Sequence, residues 1–176
     1  MITTKLLTPK TKRRPGLLIS KVLFIVAHDT GNPGTSAAGN VKWYESTNNE
    51  ASVSAHIFVD DKEVIECIPA FKLPEKAWHV LYERTIDNKL FGADANNAAI
   101  GVELCYGGKI DNKKAYENYV LILAGLCKTH KLDPLTKIVS HAELDPERKT
   151  DPINSLKLVG KDMTSLKQDV SKLVKF

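Results

Sequence analysis

The segment Ser140-His141-Ala142-Glu143-Leu144-Asp145-Pro146-Glu147-Arg148-Lys149-Thr150-Asp151-Pro152 brings one imidazole, one lysine and a terminal carboxylate into a short stretch. Two prolines and several charges predict an irregular loop here. Imidazole and carboxylate are both good ligands for first-row metals, and a Zn²⁺ ion left with an open position activates water for hydrolysis. A second imidazole, His28, ends the apolar run Val22-Leu23-Phe24-Ile25-Val26-Ala27. It therefore stands at the carboxyl end of a strand, where sites on open sheets gather. Each residue alone has a plainer account. His28 could be satisfied by a local hydrogen bond, and Asp151-Pro152 reads equally as a helix start. The ordered set is what points to a His/His/Asp metal site.

Two further residues gain meaning beside that set. Glu103 interrupts the apolar strand Ala99-Ile100-Gly101-Val102-Glu103-Leu104-Cys105. Alternation puts it on the face opposite Ile100, Val102 and Leu104, where it either meets solvent or serves as a partly buried acid/base carboxylate. Lys149 lies two residues before Asp151 and can face the same cavity, where an ammonium stabilises a developing oxyanion.

The elements that must hold these groups are legible in outline. After Arg14-Pro15-Gly16 marks a turn, Val22 to Ala27 reads as a buried strand. A helix is predicted over Ala37 to Ser46, with Val41 and Tyr44 as partial apolar spacing. Asp60-Asp61 between two apolar runs signals a hairpin. Pro69 to Asn97 shows little periodicity and reads as a long loop around Trp78-His79. The clearest helix spans Lys114 to Lys131, lining up Ala115, Tyr119, Ile122 and Leu126. Ile138-Val139 is a short strand, and Asp162 caps a last helix with Met163, Leu166, Val170 and Leu173 inward. The fold class is α/β, a single domain with a central mixed sheet flanked by helices.

At 176 residues, 43% hydrophobic and 26% charged, the chain has the size and composition of one globular domain with a real core. Its net charge of +4 is unevenly placed. The first 21 residues carry Lys5, Lys10, Lys12, Arg13, Arg14 and Lys21 and no acid. That arm is expected to strap across the domain, with contact to a polyanion as the other option. It lacks interleaved aromatics, so a nucleic-acid partner is not expected. No stretch is apolar enough to span a membrane, and the start does not read as a secretory signal. Cys67, Cys105 and Cys127 are odd in number, lie in or beside apolar runs and have no CxxC spacing, which predicts buried thiols in a reducing compartment.

These motifs resemble the zinc-dependent N-acetylmuramoyl-L-alanine amidases of the amidase-2 family, relatives of the peptidoglycan recognition proteins. The matching stretches are Ile25-Val26-Ala27-His28, Ser54-Ala55-His56-Ile57-Phe58-Val59-Asp60, Ala77-Trp78-His79, Ile100 through Tyr106, and His141 through Pro152. Arg14-Pro15-Gly16 resembles the arm of endolysin amidases from phages of Gram-positive bacteria. The resemblance implies one Zn²⁺ on His28, His141 and Asp151, Glu103 as acid/base and Lys149 as the transition-state lysine. It also places His56 in the cleft or behind the ligands, and Trp78 and His79 on a substrate-side loop. Two departures stand out: the third ligand is Asp151 where some relatives have Cys, and Ala55 replaces a tyrosine that some relatives carry before His56.

The resulting expectation is an arm over residues 1–21, a catalytic domain over 22–160 and a C-terminal helix over 161–176. The resemblance implies a peptidoglycan substrate, glycan strand plus stem peptide, and cleavage between N-acetylmuramic acid and L-alanine. The setting is expected to be a phage or prophage endolysin made in the host cytoplasm and acting on the wall after release. A cytosolic muropeptide-recycling amidase and a non-catalytic peptidoglycan-binding module are the alternatives. The sequence assigns no oligomeric state.

Overall fold

A computed structural model describes residues 2–175. Six strands form one mixed sheet in the order β1-β4-β3-β5-β2-β6. They are β1 (Ile2–Thr4), β2 (Phe24–Asp29), β3 (Ile57–Val59), β4 (Val64–Glu66), β5 (Ala99–Leu104) and β6 (Ile138–Ser140). Only the β3–β4 hairpin is antiparallel; the other neighbours run parallel. The central strands β2 and β5 are buried almost throughout, as parallel strands covered on both faces must be.

One face of the sheet packs on α4 (Asn112–His130) and α8 (Met163–Leu173). Ile25 and Ala27 of β2 and Ile100, Val102 and Leu104 of β5 meet Ala115, Tyr119, Ile122, Leu123 and Leu126 of α4, with Leu166 and Val170 of α8 completing the layer. The period of 3.6 that predicts α4 is the period of this contact. Asp111 caps its start by accepting from the Lys114 N–H, and Lys131, in the left-handed region, ends it.

The opposite face carries two separate apolar clusters. Leu7, Val41, Tyr44, Phe58 and Ile65 gather under α1 (Ala37–Ser46). Phe24, Val26, Val80, Val139 and Leu144 gather under α2 (Ile86–Phe91), α3 (Ala95–Ala98) and α6 (His141–Leu144). Between them, over the carboxyl ends of β2 and β5, a cleft opens that is lined by His28, Glu103, His141 and Asp151.

Two expectations change. The stretch from Pro69 to Asn97 is not one loop, since α2 and α3 lie in it. Asp87, almost fully buried, accepts from the Ala95 N–H, and Asn96 accepts from His79 and Val80, so polar side chains build a segment with no apolar period. Likewise His141 to Leu144 is helical, because Ser140 and Glu143 form a reciprocal capping box, and α7 (Ile153–Lys157) follows Pro152. In the arm, Ile2 to Thr4 adds the edge strand β1 beside β4, and two of the cations lie inside the fold. Arg13 is 1% exposed, and Arg14 makes a two-pronged pair with Glu75, both bonds 2.8 Å. Cys67, Cys105 and Cys127 are free and buried. No described helix is long and apolar enough to cross a membrane.

Candidate metal centre

Register puts the two key histidines side by side. Ala27 of β2 is paired with Ser140 of β6, so one residue further on His28, still within β2 and paired with Glu103, stands beside His141, the first residue of α6. Their rings meet edge to face at 4.6 Å. Asp151 comes back to them because its carbonyl accepts the Ala142 N–H at 3.0 Å. The next helix is tied to β2 in turn: the buried Asp29 accepts from the Ser155 N–H of α7. Beneath the sheet, the Tyr119 hydroxyl of α4 accepts from the His28 N–H at 3.1 Å and donates to the Val102 carbonyl at 3.0 Å. The core helix thus fixes the strand end that carries His28.

The result is a convergent donor set. His28 Nδ1 and His141 Nδ1 lie 2.9 and 3.0 Å from the same oxygen, Oδ2 of Asp151, and one ligand atom from each residue falls within 4.8 Å of the others. Nitrogen and oxygen ligands around a tetrahedral Zn²⁺ stand roughly 3.3 Å apart. Both imidazoles are buried. Burial pushes the His28 imidazole down to about 4, against the pull of Asp151, so it is neutral and keeps a lone pair for a cation. Burial also opposes ionisation of Asp151, but hydrogen bonds from His141 and His28 outweigh it and hold the carboxyl well below its usual range. His141 Nε2, His79 Nε2 and Glu103 Oε2 are buried without a hydrogen-bond partner. Two buried imidazoles and an ionised carboxylate on one point, with polar atoms left over around them, fit a divalent cation.

Glu103 is paired in register with His28 on one side and Phe58 on the other. It faces the cleft, not solvent. Burial raises its pKa well above the carboxylate range, the charges of Asp151 and Asp29 raise it further, and Lys149 opposes them. Lys149 lines the same cleft. Its backbone N–H is held by the Asp145 carbonyl at 2.9 Å, and the fully buried Asp145 side chain pairs with Arg84 and Arg148. The cleft has a volume of about 450 Å³ and also reaches Asn32, Trp43 and Asn154.

The remaining expected residues divide. His79 lies behind the ligands, its Nδ1 3.1 Å from His28 Nε2. Gly101 makes room for it, since a Cβ there would stand 2.8 Å from His79 Cγ. His56 is fully buried with both nitrogens committed, Nδ1 to the Gly101 N–H and Nε2 to the Glu75 carbonyl. Its ring stands 5.7 Å from that of His79, and it does not line the cleft. Trp78 is outside the cleft, its indole N–H donating to the Lys12 carbonyl and its ring beside Tyr82. The aromatics that line the cleft are Trp43 and Tyr44, from α1, and Phe58, from β3; of these Trp43 is the exposed one. Sequence reading missed it because Trp43 falls outside the Val41/Tyr44 spacing; an unpaired large aromatic on a helix was the available signal.

The parallel strands of this α/β sheet thus bring a His/His/Asp cluster that could hold a metal ion beside a half-buried carboxylate. The sequence profile described as N-acetylmuramoyl-L-alanine amidase matches residues 19–154, and the chain belongs to that family. A probable N-acetylmuramoyl-L-alanine amidase of Bacillus licheniformis is 33% identical over 135 residues, covering 74% of this chain and 37% of that protein. The chain spans little more than a third of the length of the curated relatives it matches. Among solved structures, the catalytic domain of XlyA superposes with a TM-score of 0.74 at 25% identity, covering 97% of this chain and 99% of that one. A mutant endolysin from Bacillus subtilis gives 0.73 at 26% identity, with 97% and 99% covered.

Proposed function

We propose that this chain is a zinc amidase that cleaves the bond between N-acetylmuramic acid and the L-alanine of the peptidoglycan stem peptide. The observation that carries the reading is the His28, His141 and Asp151 cluster beside the half-buried Glu103, in a chain of this family. His28, His141 and Asp151 would hold one Zn²⁺, which supplies Lewis acidity toward the scissile carbonyl and activates water near neutral pH. Glu103, whose burial makes it a stronger base than a surface carboxylate, takes the proton from the attacking water and returns it to the departing alanine nitrogen. Lys149 offers its ammonium to the oxyanion of the tetrahedral intermediate from the wall of the same cleft. His79 is a positioning residue. With the His28 Nδ1 lone pair on a cation, His28 Nε2 carries the proton and donates to His79 Nδ1, which fixes tautomer and ring angle.

The biological setting in this reading is a phage or prophage endolysin, made in the host cytoplasm and acting on the wall after release. It is supported by the likeness to the Bacillus subtilis endolysin and to the XlyA catalytic domain. The decisive experiment is metal analysis of the purified chain together with mass spectrometry of peptides released from walls. One zinc per chain and new L-alanine amino termini are expected; walls left intact by zinc-loaded protein would sink the proposal. Turbidity loss with whole walls, set against cleavage of soluble muropeptides, separates an endolysin from a recycling enzyme. Cleavage of soluble fragments alone would defeat the endolysin setting.

A further inference from the structure

The wall of the cleft formed by α1 carries a tryptophan that core packing does not explain. The buried stripe of α1 is Ala37, Asn40, Val41 and Tyr44; Trp43 lies beside it, is 54% exposed, and lines the cleft. An exposed indole normally costs ordering entropy when a ligand immobilises it. Here it is already held. The Arg13 guanidinium sits 4.4 Å from the ring centroids of both Trp43 and Tyr44. Arg13 is itself fixed by bonds to the Thr47 carbonyl and hydroxyl and to the Val53 carbonyl. The Thr47 hydroxyl donates back to the Trp43 carbonyl at 2.7 Å. A cation from the N-terminal arm thus braces an aromatic surface in the cleft that Arg148 and Lys149 also line.

We propose that Trp43 is the saccharide platform of this cleft: its open surface receives the apolar C–H face of a pyranose ring of the glycan strand, with Arg13 as its positioning residue. The proposal rests on the amidase reading and names the subsite for the sugar side of the scissile amide. A flat, rigid, amphipathic ring suits a ligand whose faces are apolar and whose edges are polar. Arg148 and Lys149, which line the same cleft, suit the carboxylates of a stem peptide instead.

The test uses the full zinc-loaded chain and a peptide-free probe, the disaccharide N-acetylglucosaminyl-N-acetylmuramic acid, which contains no amide to the stem and cannot be turned over. Its affinity is measured by calorimetry or NMR titration for the wild type, Trp43→Ala and Trp43→Phe. Loss of the platform should weaken binding roughly tenfold, about 1.4 kcal/mol, while Trp43→Phe stays within about threefold of the wild type. On wall fragments, Trp43→Ala should raise KM and leave kcat nearly unchanged. Wild-type affinity in a folded Trp43→Ala protein, or no detectable disaccharide binding by the wild type, overturns the proposal. Failure of the amidase reading looks different: the disaccharide binds through Trp43, but no L-alanine amino terminus is released.

Discussion

His28 Nε2 and His79 Nδ1 stand 3.1 Å apart on the side of the His28 ring turned away from Asp151. The imidazole is therefore gripped at both nitrogens. If His79 fixes His28 for a cation, His79→Ala should lower zinc affinity by roughly 10- to 100-fold. Competition with a chelating indicator measures this directly. Unchanged affinity would show that the contact is packing alone. Gly101→Ala should act through the same pair, because its methyl would meet the His79 ring at 2.8 Å. A loss of about 1–3 kcal/mol in stability is expected from overpacking, together with weaker zinc binding.

Glu103→Gln keeps the size of the side chain and removes its basicity. Turnover should fall by roughly 10²–10⁴-fold while zinc content stays at the wild-type level, since Glu103 is outside the ligand cluster. Lys149→Ala should likewise retain zinc and lose turnover by about 10²-fold or more. A metal-loaded, folded variant that hydrolyses walls at the wild-type rate would remove that residue from the mechanism.

The N-terminal arm is part of the stability of the fold. Arg13→Ala would leave the Val53 carbonyl and the Thr47 hydroxyl without their donor and open a void beneath Trp43 and Tyr44. Urea unfolding should show a loss of about 2–4 kcal/mol. Lys21→Ala, at an exposed position of the arm, should change stability by no more than about 0.5 kcal/mol. Equal effects at the two sites would refute the contrast.

His56 makes a pH prediction. Burial pushes its imidazole down to about 4, with the Glu75 hydrogen bond opposing, whereas in the unfolded chain it titrates near 6.5. Between these values the unfolded state binds the proton and the native state does not. Stability is therefore complete above about pH 6.5 and falls as pH drops toward 4, by at most roughly 1.4 kcal/mol per pH unit from this group. NMR should find the His56 ring neutral at pH 5.5, and His56→Gln should flatten the pH dependence of unfolding in metal-free protein. A His56 ring that protonates near pH 6.5 in the folded protein contradicts the argument.

The sequence alone determined the periodic parts of this protein. Apolar runs and a 3.6-residue stripe define β2, β5 and α4, and residue type marks His28, His141, Asp151, Glu103 and Lys149, because strand ends and proline-punctuated loops are local features. Only the tertiary structure decided which histidine does what. His56, His79 and His28 look alike in sequence; the sheet register and the absence of a side chain at Gly101 bury His56 in two backbone bonds and set His79 behind His28. The same holds for the aromatics and the basic arm. Trp78 is turned away to the Lys12 carbonyl, Trp43 is turned into the cleft, and Arg13 leaves solvent to brace it. Those outcomes depend on contacts between segments far apart in the chain, which no local pattern encodes.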